Sequence, residues 1–256
     1  MSGGGQRLPA HLRHDPALAF PGGTGVTMLE VYNWPCPDGL RGGSAHIHLA
    51  STEGYAVIAG AGRLQTLSRD GCAEVPLRPG DCLWFTPGTV HRLVNEDGNL
   101  RILVVMQNAG LPEAGDAVLT FPPELLADPD RYAAAATLPA AGAEDDLASA
   151  ARRRRDLAIE GYLALRERVA AAGPGGLEDF LAAAERLVSR RIPDWRRRWQ
   201  EQAAAVAGLT GQHLAGLAAG RAGHLRAAAV QYVPSPAGPH GFGMCGRLTP
   251  YPAYPE

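Results

Sequence analysis

Lysine is missing altogether: every one of the 24 basic residues in this 256-residue chain is an arginine. A pyridoxal-phosphate Schiff base, a lysine nucleophile and a phosphate loop ending in Gly-Lys-Ser/Thr all need an ε-amino group, so those chemistries are excluded. Long apolar runs are absent too, none reaching the ~20 predominantly apolar residues of a spanning helix. Met1 to Phe20 holds Arg7, His11, Arg13, His14 and Asp15, which leaves no continuous apolar stretch for a secretory signal. The expectation is a chain with no membrane partner and a cytoplasmic location. Cysteine is scarce and scattered. Cys36, Cys72, Cys82 and Cys245 form no CxxC pair, which suits packed thiols better than a zinc knuckle or a disulfide framework.

Charge and pattern divide the chain near residue 143. Before it, 9 arginines face 14 acidic residues; after it, 15 face 12. From Val26 to Met106 short β-rich runs alternate with Gly, Pro and Asp: VTMLEVYNW, AHIHL, YAVIAG, RLQTL, AEVPL, CLWFT, VHRLV and LRILVVM. Strands at this spacing predict a β-sandwich or barrel. Residues 1–24 read as an irregular arm, 25–110 as the barrel, 111–143 as a Pro-rich connector, 144–232 as an α-helical region and 233–256 as an irregular Pro/Gly-rich tail, α+β overall. In the helical part Leu147, Ala151, Ala158, Tyr162, Leu165 and Val169 recur at helical steps, as do Leu177, Leu181, Ala184 and Val188. Pro193 suits the first turn of a third helix.

Three of the eight histidines fall in the β-rich part. His46 and His48 flank one residue, so on a strand both rings leave the same face, roughly 6 to 7 Å apart at the backbone. Glu53 stands at an odd offset from His48 and would face the other way on an unbroken strand. Leu49 to Thr52 must therefore bulge or turn if Glu53 is to join the pair. Past that break Tyr55 shares the face of Glu53. His91 follows the turn-forming Thr86-Pro87-Gly88-Thr89 and supplies a fourth candidate.

The spacing His46-Ile47-His48, four residues, Glu53, six residues, Gly60 resembles the first motif of the cupin superfamily, and Gly80, Gly88, His91 and Asn95 fall at positions of the second. Thr86 replaces the usual proline, with Pro87 one place later, and Leu40 stands where an opening glycine is usual; neither touches a ligand position. The resemblance covers about residues 25 to 110. It implies a cupin-type jelly roll (double-stranded β-helix) with His46, His48, Glu53 and His91 as ligands of a divalent transition metal ion: Fe, Mn, Ni, Co or Zn. It also implies a homodimer and, in some members, a second role for the glutamate as a catalytic base. Three imidazoles and one carboxylate would leave two positions of a six-coordinate ion open to a small oxygen-rich substrate bound bidentately. Dioxygenase-type oxidation is placed first. A redox-neutral isomerase or epimerase on a sugar or hydroxy-ketone is the alternative, and a non-catalytic small-ligand sensor signalling through the helical half is another. Aromatic, dry walls would favour oxidation, and walls rich in Asn, Gln and Arg would favour isomerisation. Tyr55, Trp84 and Arg101 are the candidate substrate-pocket residues; Phe85 alternates with Trp84, so one of the two points inward. Arg63, Gln65 and Gln107 would join if they face the interior.

Two clusters, Arg152–Arg155 and Arg196–Arg198, invite a nucleic-acid reading. Acidic neighbours such as Glu144, Asp145, Asp146 and Asp156 argue instead for a solvated helix face. Trp195 and Trp199, four apart, share a face suited to seating their helix. Gly241-Phe242-Gly243-Met244-Cys245-Gly246 spells GxGxxG, but the irregular text after it excludes the helix a dinucleotide site needs. Cys245 would be a reactive thiol only if it folded over the barrel mouth beside His240; a packed thiol in a wrapping tail is the expected state.

Overall fold

The computed structural model describes residues 12–13, 19–234 and 241–251. A two-residue strand, β1 (Leu12–Arg13), stands apart from the barrel. All eight β-rich runs then form strands: β2 (Gly25–Val31), β3 (His46–His48), β4 (Glu53–Ala59), β5 (Gly62–Ser68), β6 (Gly71–Leu77), β7 (Cys82–Phe85), β8 (Val90–Asn95) and β9 (Arg101–Met106). They are joined by β10 (Ala117–Leu119) and, after the helices, by β11 (Val230–Gln231), β12 (Gly241–Phe242) and β13 (Gly246–Tyr251). Strands β1 and β11 pair in parallel. The rest make two antiparallel sheets, ordered β10-β3-β8-β5-β6 and β12-β13-β2-β9-β4-β7. Their facing sides enclose one core of Leu29, Val57, Leu64, Leu77, Leu93 and Ile102, the arrangement of a face-to-face sandwich in which alternate residues turn inward.

Strands β3 and β8 of the five-stranded sheet are buried on both faces because helices cover its outer side, whereas the edge strand β6 is largely exposed. After α1 (Pro123–Leu126) and α2 (Pro129–Ala136) come α3 (Glu144–Ala172), α4 (Glu178–Val188), α5 (Ile192–Glu201), α6 (Ala203–Ala218) and α7 (Gly223–Arg226). Ala45, Ile47, Leu67 and Val90 of the sheet share a second core with Ala158, Tyr162, Leu165, Val169, Leu177, Ala184 and Val188. These are the helical positions the periodicity singles out, and each fully buried large apolar side chain contributes about 1.5–3 kcal/mol. Gly161 lets α3 approach this closely: a Cβ there would collide with the backbone of Thr120 and Phe121. Pro193 does open α5 in its first turn.

Three expectations are corrected. The stretch 111–143 is not merely a connector, since β10 belongs to the sheet that carries β3 and α1 and α2 follow it, each with proline in its first turn. The tail is not irregular throughout either. β13 pairs with β2 along its whole length, and Cys245 and Leu248 enter the inner core. The first arginine cluster is not a uniformly solvated face. Arg155 is 1% exposed and donates to the carbonyls of Trp34, Pro35 and Gly42, while Arg154 donates to those of Ala136 and Gly243. Buried guanidinium groups need such acceptors, and here loop and tail backbone provide them. The GxGxxG text forms the β12–β13 hairpin, with no helix after it among the described residues.

Candidate metal centre

His46 and His48 project from β3 toward the facing sheet, and His91 of β8 stands directly across from His46 in the ladder. After His48 the chain leaves the five-stranded sheet, crosses through Leu49–Thr52 and enters the other sheet as β4. Glu53 therefore looks back across the barrel at the histidines. The break demanded by its odd offset is present, and it is a change of sheet. Ligating atoms of His46, His48, Glu53 and His91 all lie within 4.8 Å of one another, and all four residues are buried.

Each imidazole is oriented through Nδ1. His46 Nδ1 lies 3.1 Å from Ser44 O, His91 Nδ1 3.1 Å from Thr89 O and His48 Nδ1 2.7 Å from Asp116 Oδ1. Acceptors at those positions hold a proton on Nδ1, so that each ring, once neutral, aims its Nε2 lone pair inward, as a metal ligand requires. His91 Nε2 and Glu53 Oε2 are 3.0 Å apart, yet both are buried without a hydrogen-bond partner. Converging buried lone pairs of this kind are costly alone and fit a shared cation. The donor set is nitrogen and oxygen only, which suits a divalent transition metal.

Without a cation the cluster is electrostatically divided. Burial, followed by the neighbouring His91 and His48, drives the His46 imidazole well below its ordinary value. Burial also opposes protonation of His48, but the carboxylates of Asp116 and Glu53 outweigh it and raise that ring to about 10. Burial would raise Glu53, and the imidazoles of His91 and His48 instead hold it well below the usual carboxylate range.

Tyr55 shares the face of Glu53 and is 1% exposed, with a hydroxyl that has no hydrogen-bond partner. Burial first, then the Glu53 charge, pushes that phenol far above its ordinary range, so it stays protonated. Phe85 is the inward member of its pair. It stands opposite Glu53 in the β4–β7 ladder, and its ring lies 4.3 Å from that of His91. Trp84 pairs with Gly54 on the other face and is 72% exposed, which removes it from the pocket. Arg101 also faces outward. It lines a surface cavity of about 610 Å³ with Glu30, Trp34 and Arg247, and none of the four candidate ligands lines that cavity. Arg63 is paired with Glu74 and Glu96, Gln65 bonds Glu74, and exposed Gln107 accepts from the Thr52 amide. None of these polar side chains enters the barrel. Cys245 does enter it, as a buried thiol that burial pushes far above its ordinary range, which makes it unreactive. His240 lies outside the described residues. Asp116 is the site residue sequence reasoning missed, and its position 68 residues from His48 leaves no local signal for it.

Residues 37–106 match the family model described as the cupin domain, which makes this stretch a cupin domain. Among solved structures, similarity is found to a predicted oxalate decarboxylase from Thermotoga maritima, at 20% identity over 33% of this chain and 64% of that one, with a TM-score of 0.25. Pac13 of Streptomyces, a nucleoside dehydratase, aligns at 18% identity over 41% and 70% with a TM-score of 0.29. CapF of Staphylococcus aureus, a capsular polysaccharide assembling protein, aligns at 14% identity over 37% and 27% with a TM-score of 0.30. The chain thus spans under two thirds of the first and about a quarter of the last, and likenesses at this level speak to neither substrate nor reaction. No curated protein sequence matches significantly.

Proposed function

We propose that this chain is a metal-dependent oxidoreductase that takes a small oxygen-rich molecule into its cupin barrel for dioxygenase-type oxidation. The observation that carries the reading is the buried convergence of His46, His48, Glu53 and His91, with each histidine held through Nδ1. A divalent ion bound there would supply Lewis acidity and, for iron, manganese, cobalt or nickel, redox capacity. Oxidation is preferred over isomerisation because of the walls. Tyr55, Phe85 and Met106 stand beside Glu53, while Arg63, Gln65, Arg101 and Gln107 all lie elsewhere.

The chain's own residues have separable tasks in this reading. Phe85 and Met106 keep water from the ligands, which strengthens every charge interaction inside. Glu53 contributes the anionic ligand. Tyr55, protonated and unpaired, donates a hydrogen bond to a substrate oxygen. The same Tyr55 hydroxyl beside the Glu53 carboxylate also favours a second reading, isomerisation of a sugar or hydroxy-ketone with Glu53 as base and Tyr55 as proton donor. Oxygen uptake by the iron-loaded protein, with diols, enediols and sugars as probes, separates the two. Substrate-dependent uptake supports oxidation, and metal-dependent turnover without uptake supports isomerisation.

The sensor reading draws less support: it needs Arg196–Arg198 as an outward recognition surface, and although these residues lie at the surface, Arg197 is paired with Asp194 and Glu201 and Arg198 with Asp194. A homodimer remains part of the proposal. Support comes from Trp84, exposed beside Ala56 and Val105 on the outer face of the edge strand β7 and its neighbours. Light scattering tests it. A cytoplasmic location also remains proposed; no described helix is long and apolar enough to cross a membrane.

A further inference from the structure

We infer that the helical region controls the metal centre through Asp116, a positioning residue for His48 that α5 holds from outside the barrel. The inference rests on the metal reading above and extends it to residues beyond the matched cupin segment.

Asp116 is fully buried and accepts from His48 Nδ1 at 2.7 Å, while its other carboxylate oxygen has no partner. Its charge is therefore committed to one imidazole. A carboxylate behind a ligating histidine fixes the ring's tautomer and orientation and makes the ring a stronger donor. Ser44 and Thr89 offer the other two histidines only backbone carbonyls, so His48 is the ligand whose strength a charged side chain sets.

Two different elements fix Asp116 in place. From the sheet side, its carbonyl accepts from Leu49 N–H at 3.1 Å, and Ala117, the next residue, pairs with His48 in the β3–β10 ladder. From the helical side, Trp195 of α5 donates its indole N–H to Ala114 O, and Arg191, just before α5, donates to Gly115 O, both at 3.2 Å. Gly115 suits this approach. Its φ of +82° is in the left-handed region, and a Cβ there would run into the Arg191 guanidinium. Trp195 is 5% exposed and packs in the same core as Leu111, whose carbonyl accepts from Asp116 N–H. The chain from α5 to a metal ligand is thus continuous: Trp195 and Arg191 grip residues 114–115, which present Asp116, which presents His48.

The test is cobalt(II) affinity, measured by chelator competition on four full-length proteins: the unaltered chain, Asp116→Asn, the pair Trp195→Phe with Arg191→Ala, and all three changes together. Asp116→Asn should weaken affinity roughly 10- to 100-fold. The α5 pair should weaken it severalfold, and should cost nothing further once Asp116 is already Asn, because both act through one contact. Circular dichroism confirms the fold, and Arg191→Ala alone serves if Trp195→Phe does not fold. Unchanged affinity in Asp116→Asn or in the α5 variant, or losses that simply multiply in the combination, would overturn the inference. Failure of the unaltered chain to bind cobalt would instead sink the metal reading itself.

Discussion

Phe85 stands directly opposite Glu53 in the β4–β7 ladder, with its ring 4.3 Å from that of His91, while its neighbour Trp84 faces solvent at 72% exposure. Two adjacent aromatic residues therefore carry different burdens. Trp84→Ala should change monomer stability by less than about 0.5 kcal/mol, as surface substitutions do. Phe85→Ala should cost several times more, about 2–4 kcal/mol, because it opens a hole beside the ligands. Denaturant midpoints of the two variants check this, and equal costs would mean that β7 is set in the opposite register.

Removal of a ligand should empty the site without unfolding the barrel. His46→Ala and His91→Ala are expected to lose most bound metal while keeping the far-ultraviolet circular dichroism of the parent. The apolar core of Leu64, Leu77, Leu93 and Ile102 holds the sheets together independently of the cluster. Full metal occupancy in either variant would show the ligand assignment to be wrong.

The metal-free chain should have a pH-dependent stability with a definite sign. His48 rises from its ordinary 6.5 to about 10 in the fold, so its contribution is complete below about 6.5, declines as pH climbs and is gone above about 10. Glu53 acts in the other direction. Its depressed value gives stability that is present above the ordinary carboxylate range and lost as pH falls below it. Urea midpoints of the metal-free protein should fall between pH 7 and pH 10, and that fall should shrink in His48→Gln. An identical decline in the variant would place its origin elsewhere. Metal uptake near pH 8 should release about one proton as His48 becomes a neutral ligand.

Arg155 tests how the helical region is fastened. Its guanidinium reaches three backbone carbonyls, of Trp34, Pro35 and Gly42. Arg155→Met fills similar volume but leaves those acceptors without their donor, so a loss of about 3–5 kcal/mol is expected. A loss below about 1 kcal/mol in a thermal or denaturant melt would mean that water replaces the guanidinium and the clamp is unimportant.

The four candidate ligands were legible partly from local rules and partly from the resemblance to the cupin motifs, which joined His91 to the set. Two histidines one residue apart must share a strand face, and the odd offset of Glu53 required the break at Leu49–Thr52 that the change of sheet provides. The choice between Trp84 and Phe85 was not legible. Alternation puts them on opposite faces, but only the pairing of β7 with β4 decides which face is inside. Arg154 and Arg155 were legible only in part: adjacent Asp156 does pair with Arg155 Nε at 2.7 Å, as acidic neighbours suggest, but both guanidinium groups also donate to backbone carbonyls far along the chain that no composition signals. β13 was hidden by proline and glycine in a tail whose pairing with β2 is set by tertiary contact. Asp116 was invisible because its one informative neighbour is 68 residues away.

His46, His48, Glu53 and His91 are expected to hold one divalent transition metal, and elemental analysis of the purified protein beside its His91→Ala variant checks that assignment. Close to one equivalent of Fe, Mn, Co, Ni or Zn is expected in the parent and little in the variant. An unaltered chain that takes up none of these metals, even after incubation with each, would contradict it.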